Sequence, residues 1–203
     1  MLDVTNLECV RGDRPLFSRL SFRLKPGELL HIVGKNGSGK TTLLRTLCGL
    51  THAVTGEIRW QGLAIHELGD EYRRQLSYVG HSNGIQGELT PEENLRTASC
   101  LSKKPNASFI KDTLQRLGLA AYRSFPAKVL SQGQKRRLAL ARLVIQKKSL
   151  WILDEPLSAL DVDSVDLMSE LLTDHLDQNG LIVLTSHQKV DVAKKKINQL
   201  QLD

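Results

Sequence analysis

Short apolar runs rich in β-branched residues recur along the chain, and segments with helical patterning separate them. The runs that resemble buried strands are Leu29 to Val33, Leu76 to Val79, Leu150 to Leu153 and Leu181 to Thr185. Continuous apolar strands that alternate with helical segments are typical of a parallel sheet covered on both faces. The pattern therefore predicts an α/β fold.

Two segments ahead of the first of these runs carry a different pattern, in which polar and apolar positions alternate. Such alternation covers Met1 to Glu8 and Leu20 to Leu24, and it is typical of strands with one buried face. Gly56 to Leu63 is a further predicted strand with a tight turn at Gln61-Gly62. We expect a small antiparallel sheet as an N-terminal β-subdomain.

Between Leu89 and about Lys147 the strand signals vanish and helical patterns dominate. The segment Thr90-Pro91-Glu92-Glu93 is a capping box with proline at the first helical position, so a helix is predicted to begin near Pro91. Further helices are predicted over about Ala107 to Leu117 and Gln134 to Ile145. We interpret about 86–147 as a helical subdomain inserted into a single domain, 1–203.

Composition narrows the class of protein. A hydrophobic share of 40% and a charged share of 25% in 203 residues fit a globular domain and exclude a disordered or fibrous chain. The longest purely apolar runs have four residues, whereas a membrane-spanning helix needs roughly 20. With no signal-peptide pattern at the N-terminus, we expect a cytosolic location. Three cysteines without C-x-x-C spacing predict reduced, mostly buried thiols.

Residues Gly34 to Thr41, GKNGSGKT, match the phosphate-loop pattern G-x-x-x-x-G-K-[ST]. They follow the predicted strand Leu29 to Val33 and precede a helical stretch, which is the structural context that the pattern requires. Glycines let backbone amides turn inward around a phosphate, and the helix directs its positive dipole end at the same anion. Lys40 adds a mobile charge for the outer phosphates, and Thr41 offers a hydroxyl to Mg²⁺.

Two carboxylates, Asp154 and Glu155, end the apolar strand Leu150 to Leu153. Ligands of open α/β sheets bind at the carboxyl edge, so Asp154 is predicted to hold Mg²⁺ and Glu155 to polarise an attacking water. The alternative is a strand-end turn with solvated acids, which the phosphate loop elsewhere on the sheet disfavours. His187 follows another apolar strand and is predicted to lie at the same edge. It is either a catalytic histidine or a solvated one without a role in catalysis.

The segment Leu130 to Gln134, LSQGQ, resembles the signature of ATP-binding cassette (ABC) ATPases, a motif that other phosphate-loop kinases and GTPases lack. Ser158 to Asp161 is similar to the D-loop of that family, and His187 to its switch histidine. The resemblance covers essentially the whole chain. It implies an ABC-type phosphate-loop NTPase core that binds ATP with Mg²⁺ and hydrolyses it.

The resemblance also implies roles for individual residues. Glu155 would be the general base, and His187 would hold the γ-phosphate and the attacking water. Lys40, with its charge for the outer phosphates, is the third predicted catalytic residue. ATP would be held by Gly34, Lys35, Asn36, Gly37, Ser38, Gly39, Lys40, Thr41 and Thr42. A second copy of the chain, packed head to tail, would cap that ATP with Ser131, Gln132, Gly133 and Gln134, and Asp161 would link the two sites.

Two positions depart from the family pattern. Arg11 stands before Gly12, where the family usually has an aromatic residue that stacks on adenine, and a guanidinium plane can stack on a base as well. His81 stands where the family usually has a metal-contacting glutamine. Neutral imidazole can accept a hydrogen bond from a metal-bound water, so His81 joins Thr41 and Asp154 as a predicted metal residue.

His81 also indicates a subfamily. Gly80 to Ile85 and Glu88 to Leu95 resemble the same segments of the haem exporter ATPases that serve cytochrome c maturation. That resemblance implies a peripheral subunit on the cytoplasmic side of a bacterial inner membrane, with CcmB-like and CcmC-like membrane subunits as partners. Haem would not bind this chain directly, because it has no C-x-x-C-H motif and no paired histidine ligands.

Other interpretations remain open. The chain could serve a different ABC exporter, or be a soluble ABC ATPase that acts on ribosomes or nucleic acid, which a net charge of +6 permits. Its basic residues lie in short scattered clusters, and it has one phosphate loop without sustained heptads, so no direct nucleic acid partner is expected. A non-hydrolysing regulatory cassette is disfavoured because Lys40, Asp154, Glu155 and His187 are all present.

Overall fold

A computed structural model describes residues 1–12, 14–99, 107–192 and 196–202. Its strands are β1 (Leu2–Arg11), β2 (Arg14–Leu24), β3 (Leu29–Gly34), β4 (Thr55–Trp60), β5 (Leu63–Ala64), β6 (Leu76–Val79), β7 (Leu150–Asp154), β8 (Leu181–Thr185) and β9 (Ile197–Leu202). Its α-helices are α1 (Lys40–Leu47), α2 (Ile65–Leu68), α3 (Asp70–Arg73), α4 (Pro91–Ser99), α5 (Ala107–Arg116), α6 (Gln132–Gln146) and α7 (Val162–Asp177).

The strands form two sheets. One has the order β2-β1-β4-β5 with antiparallel pairs, and the other has the order β6-β7-β8-β3-β9. In the second sheet β7, β8, β3 and β9 are parallel neighbours. The predicted N-terminal antiparallel sheet and the predicted α/β sheet are both confirmed. The turn at Gln61-Gly62 is confirmed too, since both residues have positive φ between β4 and β5.

The chain divides into two compact units, and the first comprises Met1–Tyr78, Lys148–Glu155 and Leu172–Asp203. Its core consists of side chains from both sheets and from α1, including fully buried Leu2, Ile32 and Leu44. The strand β9, which the sequence pattern did not predict, pairs with β3 from Leu29 to Gly34. Cys9 and Cys48 are buried and free, as predicted, whereas Cys100 lies outside the described residues.

The second unit comprises Val79–Lys147 and Pro156–Leu171, and helices dominate it. Its core groups apolar side chains of α4, α5 and α6, such as Leu95, Leu114 and Leu138. The capping box at the start of α4 is confirmed, because the Glu93 amide donates to Thr90 Oγ1 (3.2 Å) and the Thr90 amide donates to Glu93 Oε2 (2.8 Å). The assignment of one domain with an insert at 86–147 stays a prediction.

None of the helices in the described part of the chain combines the length and the apolar character needed to traverse a bilayer.

Candidate functional site

The phosphate loop connects the end of β3 to the start of α1, and two of its glycines, Gly34 and Gly39, are required sterically. A Cβ at Gly34 would overlap the carbonyl oxygen of Leu202 in β9, so a side chain cannot be accommodated there. Gly39 has a φ of 98°, and a Cβ there would lie 3.0 Å from the Leu16 Cβ of β2. Both sheets of the first unit therefore contribute to the shape of the loop.

Polar groups in this loop fit an anionic ligand. The Lys40 ammonium donates to the carbonyl oxygens of Gly34 (2.7 Å) and Lys35 (3.0 Å), which are neutral acceptors that a phosphate oxygen can replace. Ser38 Oγ is buried and has no hydrogen-bond partner among the described residues. A buried hydroxyl without a partner is costly, and a phosphate oxygen would satisfy it. The loop can hold the phosphates of ATP.

A chain of hydroxyl and carboxylate groups links α1 to β7 and β8. Thr41 Oγ1 donates to Asp154 Oδ2 (2.9 Å), and Thr185 Oγ1 donates to Asp154 Oδ1 (2.8 Å). Because β7 and β8 are parallel neighbours with Asp154 opposite Thr185, both side chains reach the same edge of the sheet. Asp154 is only 4% exposed. The sequence predictions for Thr41 and Asp154 thus meet in one cluster of oxygen donors.

This cluster fits Mg²⁺, a hard cation that takes a hydroxyl and one or two carboxylates and keeps its remaining positions for water and phosphate. The Thr41 hydroxyl and the Asp154 carboxylate lie within hydrogen-bond distance of each other, next to the first residues of α1. A cation placed between those oxygens would also face the phosphate loop. The observed donors are therefore of the right chemical type for a metal–nucleotide complex.

Glu155 occupies a constrained position just after β7. Its φ of 49° lies in the left-handed region, which residues with a side chain adopt rarely and mostly where the surroundings enforce it. The Glu155 amide donates to Thr185 Oγ1 (3.0 Å), and Glu155 Oε2 accepts from the His187 amide (3.2 Å). His187 Nε2 lies 3.6 Å from Glu155 Oε1, so these two predicted residues are brought together.

Two residues that support this site were missed by sequence reasoning. Thr185 bonds both to Asp154 and to the Glu155 amide, and His31 on β3 donates from Nε2 to the carbonyl oxygen of Ser186 (3.0 Å), next to His187. A threonine at the end of an apolar strand, two residues before His187, was a usable signal for Thr185. The sequence held no such signal for His31, because its partner is 155 residues away.

The signature residues lie in the second unit, at the start of α6. Ser131 is the N-cap, where its hydroxyl accepts from the Gln134 amide (3.2 Å) and its own amide donates to Gln134 Oε1 (2.9 Å). A Cβ at Gly133 would lie 3.2 Å from the Ala159 carbonyl oxygen in the D-loop. Ser131 and Gln132 are exposed, so the positive end of a helix faces outward.

Asp161 performs a similar local role at the start of α7, since the Ser164 amide donates to its Oδ1 (3.0 Å). Hydrogen bonds from the Ser164 hydroxyl and amide lower the pKa of Asp161, which keeps this exposed carboxylate ionised.

The two unusual positions are both exposed. Arg11 ends β1 opposite Arg14, and His81 follows β6 after Gly80, in the second unit. The other two predicted metal residues, Thr41 and Asp154, belong to the first unit. The metal contact of His81 and the adenine stacking of Arg11 stay predictions.

Known proteins resemble this chain over most or all of its length. A family model described as ABC transporter matches residues 17–158. The chain is 49% identical over 203 residues to the cytochrome c biogenesis ATP-binding export protein CcmA of Dechloromonas aromatica (strain RCB), covering 100% of both. It is 44% identical over 209 residues to the protein of the same name from Escherichia coli (strain K12), covering 100% of this chain and 96% of that one.

Solved structures give the same result for the fold. A structure of the ATP-binding subunit of an ABC transporter superposes with a TM-score of 0.84 at 25% identity, covering 92% of this chain and 79% of that one. An ABC transporter ATP-binding protein from Pyrococcus furiosus gives a TM-score of 0.85 at 24% identity, with coverage of 99% and 96%. The predicted ABC-type α/β fold is confirmed. The chain belongs to the ATP-hydrolysing ABC transporter family, among the CcmA export proteins.

Proposed function

We propose that this chain is the ATP-hydrolysing subunit that drives a membrane complex of cytochrome c biogenesis, in which it energises haem export or delivery. The observation that carries the catalytic part is the hydrogen-bonded series Thr41–Asp154–Thr185–Glu155 beside the phosphate loop. The process is inferred from relatives named as cytochrome c biogenesis ATP-binding export proteins, which match along their whole length.

ATP binding is assigned to the loop from Gly34 to Thr42. The phosphates of ATP would accept hydrogen bonds from the loop amides, from buried Ser38 Oγ and from the Lys40 ammonium. The ammonium would thereby exchange its two neutral carbonyl partners for anionic phosphate oxygens. Exposed Arg11 would stack on adenine through its guanidinium plane.

Bound Mg²⁺ would neutralise phosphate charge and polarise the γ-phosphate. Thr41 and Asp154 would hold it, since their oxygens already lie 2.9 Å apart, with His81 accepting from a water on the metal. The Thr185 hydroxyl keeps one oxygen of Asp154 oriented, so that the other is directed toward Thr41.

Glu155 would act as the general base that takes a proton from the attacking water. Its constrained backbone and the bond from the His187 amide to Oε2 fix the carboxylate at the sheet edge. The His187 imidazole, 59% exposed beside that carboxylate, is free to turn toward the γ-phosphate and the water. A fixed carboxylate and a mobile donor suit a reaction in which positioning supplies most of the acceleration.

Completion of the site would require a second copy of the chain. The exposed start of α6, with Ser131, Gln132, Gly133 and Gln134, would face the γ-phosphate held by that copy, and Asp161 would link the two sites. ATP would bind the closed pair more tightly than the open one, and hydrolysis would remove that preference.

CcmB-like and CcmC-like membrane subunits are the proposed partners, on the cytoplasmic side of a bacterial inner membrane. The segment from Gly80 to Leu95 would receive them. Haem would reach the partners without binding this chain, and nucleic acid is not a proposed ligand.

Co-purification tests this proposal. The tagged chain, coexpressed with the CcmB-like and CcmC-like subunits of its own organism, should be recovered with them from detergent-solubilised membranes, and so should Lys40→Ala, which keeps the docking surface. In a strain without the ATPase gene, the wild type should restore c-type cytochromes and Glu155→Gln should not. Failure of both proteins to co-purify, or full restoration by Glu155→Gln, would refute the proposal.

A further inference from the structure

A buried arginine of α6 joins two loops of the second unit. Arg136 is 3% exposed. Its Nε donates to the carbonyl oxygen of Pro156 (3.2 Å), and its Nη1 donates to the carbonyl oxygen of Gly80 (3.0 Å) and to Asn83 Oδ1 (3.1 Å). The planar guanidinium therefore contacts two backbone segments that lie far apart in sequence.

Each of those segments adjoins a residue of the proposed mechanism. Pro156 directly follows Glu155, and Gly80 directly precedes His81. Arg136 itself lies one helical turn beyond Gly133 of the signature, on a continuous α-helix. One side chain thus connects the signature helix with the segment after β6 (residues 80–84) and with the loop after β7.

A second arginine of α6 fixes the other end of residues 80–84. Arg142 Nη1 donates to the carbonyl oxygens of Asn83 (3.2 Å) and Gly84 (2.8 Å). Gly84 has a φ of 61°, and a Cβ there would lie 2.9 Å from that nitrogen, so the contact is close. Because a helix moves as a rigid element, a shift of α6 carries these carbonyl groups with it.

From these contacts we infer that Arg136 is a positioning residue, which transmits a displacement of the signature end of α6 to the backbone at Gly80 and Pro156. The inference rests on the proposed function in one respect, which is that nucleotide held by a second copy contacts the signature of this chain. Nucleotide bound between the two copies would then shift two segments of the copy that supplies the signature. These segments are the loop beside Glu155 and residues 80–84. Arginine suits this role because its rigid fork can bond two segments at once, whereas the lysine ammonium is a compact donor without that geometry.

The experiment follows amide hydrogen exchange by mass spectrometry in the Glu155→Gln background, where bound ATP is retained. Addition of ATP and Mg²⁺ should slow exchange at residues 131–134 and change it at residues 80–84. With Arg136→Lys added, the signature should be protected as before, while the response at residues 80–84 is reduced, because only the Arg142 bonds to residues 83 and 84 remain. In otherwise wild-type chain, Arg136→Lys should lower kcat about tenfold or more, since small misplacements near reacting groups are costly, with ADP affinity unchanged.

Arg142→Lys is the matched control. It alters a bond to the same residues 80–84 but none of the bonds described to Pro156, so it should raise exchange at residues 83 and 84 and leave kcat close to the wild-type value. Should Arg136→Lys fail to fold, Asn83→Ala removes one acceptor of Arg136 and should weaken the response at residues 80–84.

Several outcomes decide between the interpretations. A protected signature with an unaltered response at residues 80–84 in Arg136→Lys, or in Asn83→Ala if the first variant does not fold, overturns the inference. An equal loss of kcat in Arg136→Lys and Arg142→Lys, with lowered Tm in both, assigns Arg136 a merely structural role and overturns it too. Absence of signature protection in the Glu155→Gln parent contradicts the proposed pairing of two copies instead.

Discussion

The end of β7 and the start of α6 both carry residues assigned to ATP, but their polar groups are satisfied in opposite ways. At the end of β7, buried Asp154 and constrained Glu155 bond to residues from three other segments of the first unit, α1, β8 and the residues after β8. At the start of α6, Ser131 and Gln134 bond to each other across one turn.

That difference indicates how each region works. Non-local bonds hold the carboxylates in place before any nucleotide arrives, which is what positioning of a general base requires. The signature is folded by its own local capping box and leaves its helix end exposed. Such a surface is suited to complement a charge supplied by another molecule, and the phosphate on a second copy is the proposed one.

The largest expected effect comes from a substitution at the end of β7. Glu155→Gln keeps the size of the side chain and one acceptor oxygen for the His187 amide but removes the base, so kcat should fall about a thousandfold, within the range typical of general bases. ATP binding should persist because the phosphate loop is unchanged. Single-turnover hydrolysis and nucleotide titration measure the two effects, and undiminished turnover would remove Glu155 from its role.

A stacked pair of buried side chains, Trp151 on β7 and His175 on α7, makes the stability of the first unit depend on pH. Trp151 stacks on His175 with ring centroids 3.9 Å apart, and burial lowers the pKa of His175 from about 6.5 to about 4. The unfolded chain therefore binds this proton at a higher pH than the folded chain, and stability is lost as pH falls from about 6.5 toward 4. At pH 5 the loss from this residue should be about 2 kcal/mol.

His175→Phe keeps a ring against Trp151 and removes the titration. Urea unfolding at pH 7.5 and pH 5 should show a smaller loss of stability on acidification in the variant than in the wild type. An identical loss in both proteins would mean that another group accounts for the acid sensitivity.

A smaller effect should follow from Thr185→Val, which preserves shape but removes the hydroxyl between Asp154 and the Glu155 amide. Because one hydrogen bond to a charged group is worth about 1.5–3 kcal/mol, kcat should fall about ten- to hundredfold. Thr185→Ser retains the hydroxyl and should remain near wild type. If valine and serine behave alike in steady-state assays, the carboxylates do not depend on this bond.

The smallest effect is expected from a substitution at the start of α6. Ser131→Ala removes the N-cap of α6, which should lower the free energy of unfolding by about 1 kcal/mol. ADP affinity of the single chain should not change, because the proposed nucleotide-binding residues of that chain, Gly34 to Thr42, lie in the first unit. Denaturation and an ADP titration measure both quantities. A large drop in ADP affinity would show that Ser131 serves its own chain's nucleotide and would break the contrast between the two regions.

Local patterns in the sequence predicted much of this fold. Strands β6 and β8 begin and end where the apolar runs do, and the capping box at Thr90 starts α4 as expected. Periodicity and capping act over a few residues, so they can be read from the chain. The strand β9 was not predicted, because two adjacent polar residues, Asn198 and Gln199, interrupt its apolar alternation, and pairing with β3 at the edge of the sheet defines it.

The order of the amino acids specifies the chemistry available to this protein: a phosphate loop, two strand-end carboxylates, a histidine and a helix that begins at the signature. Tertiary structure decided which of those groups cooperate. Thr41 and Asp154 are 113 residues apart in the chain, and only parallel pairing in the central sheet brings Asp154 beside Thr185. The links made by Thr185, His31 and Arg136 likewise depend on packing, because a hydrogen bond requires two atoms to be close in space.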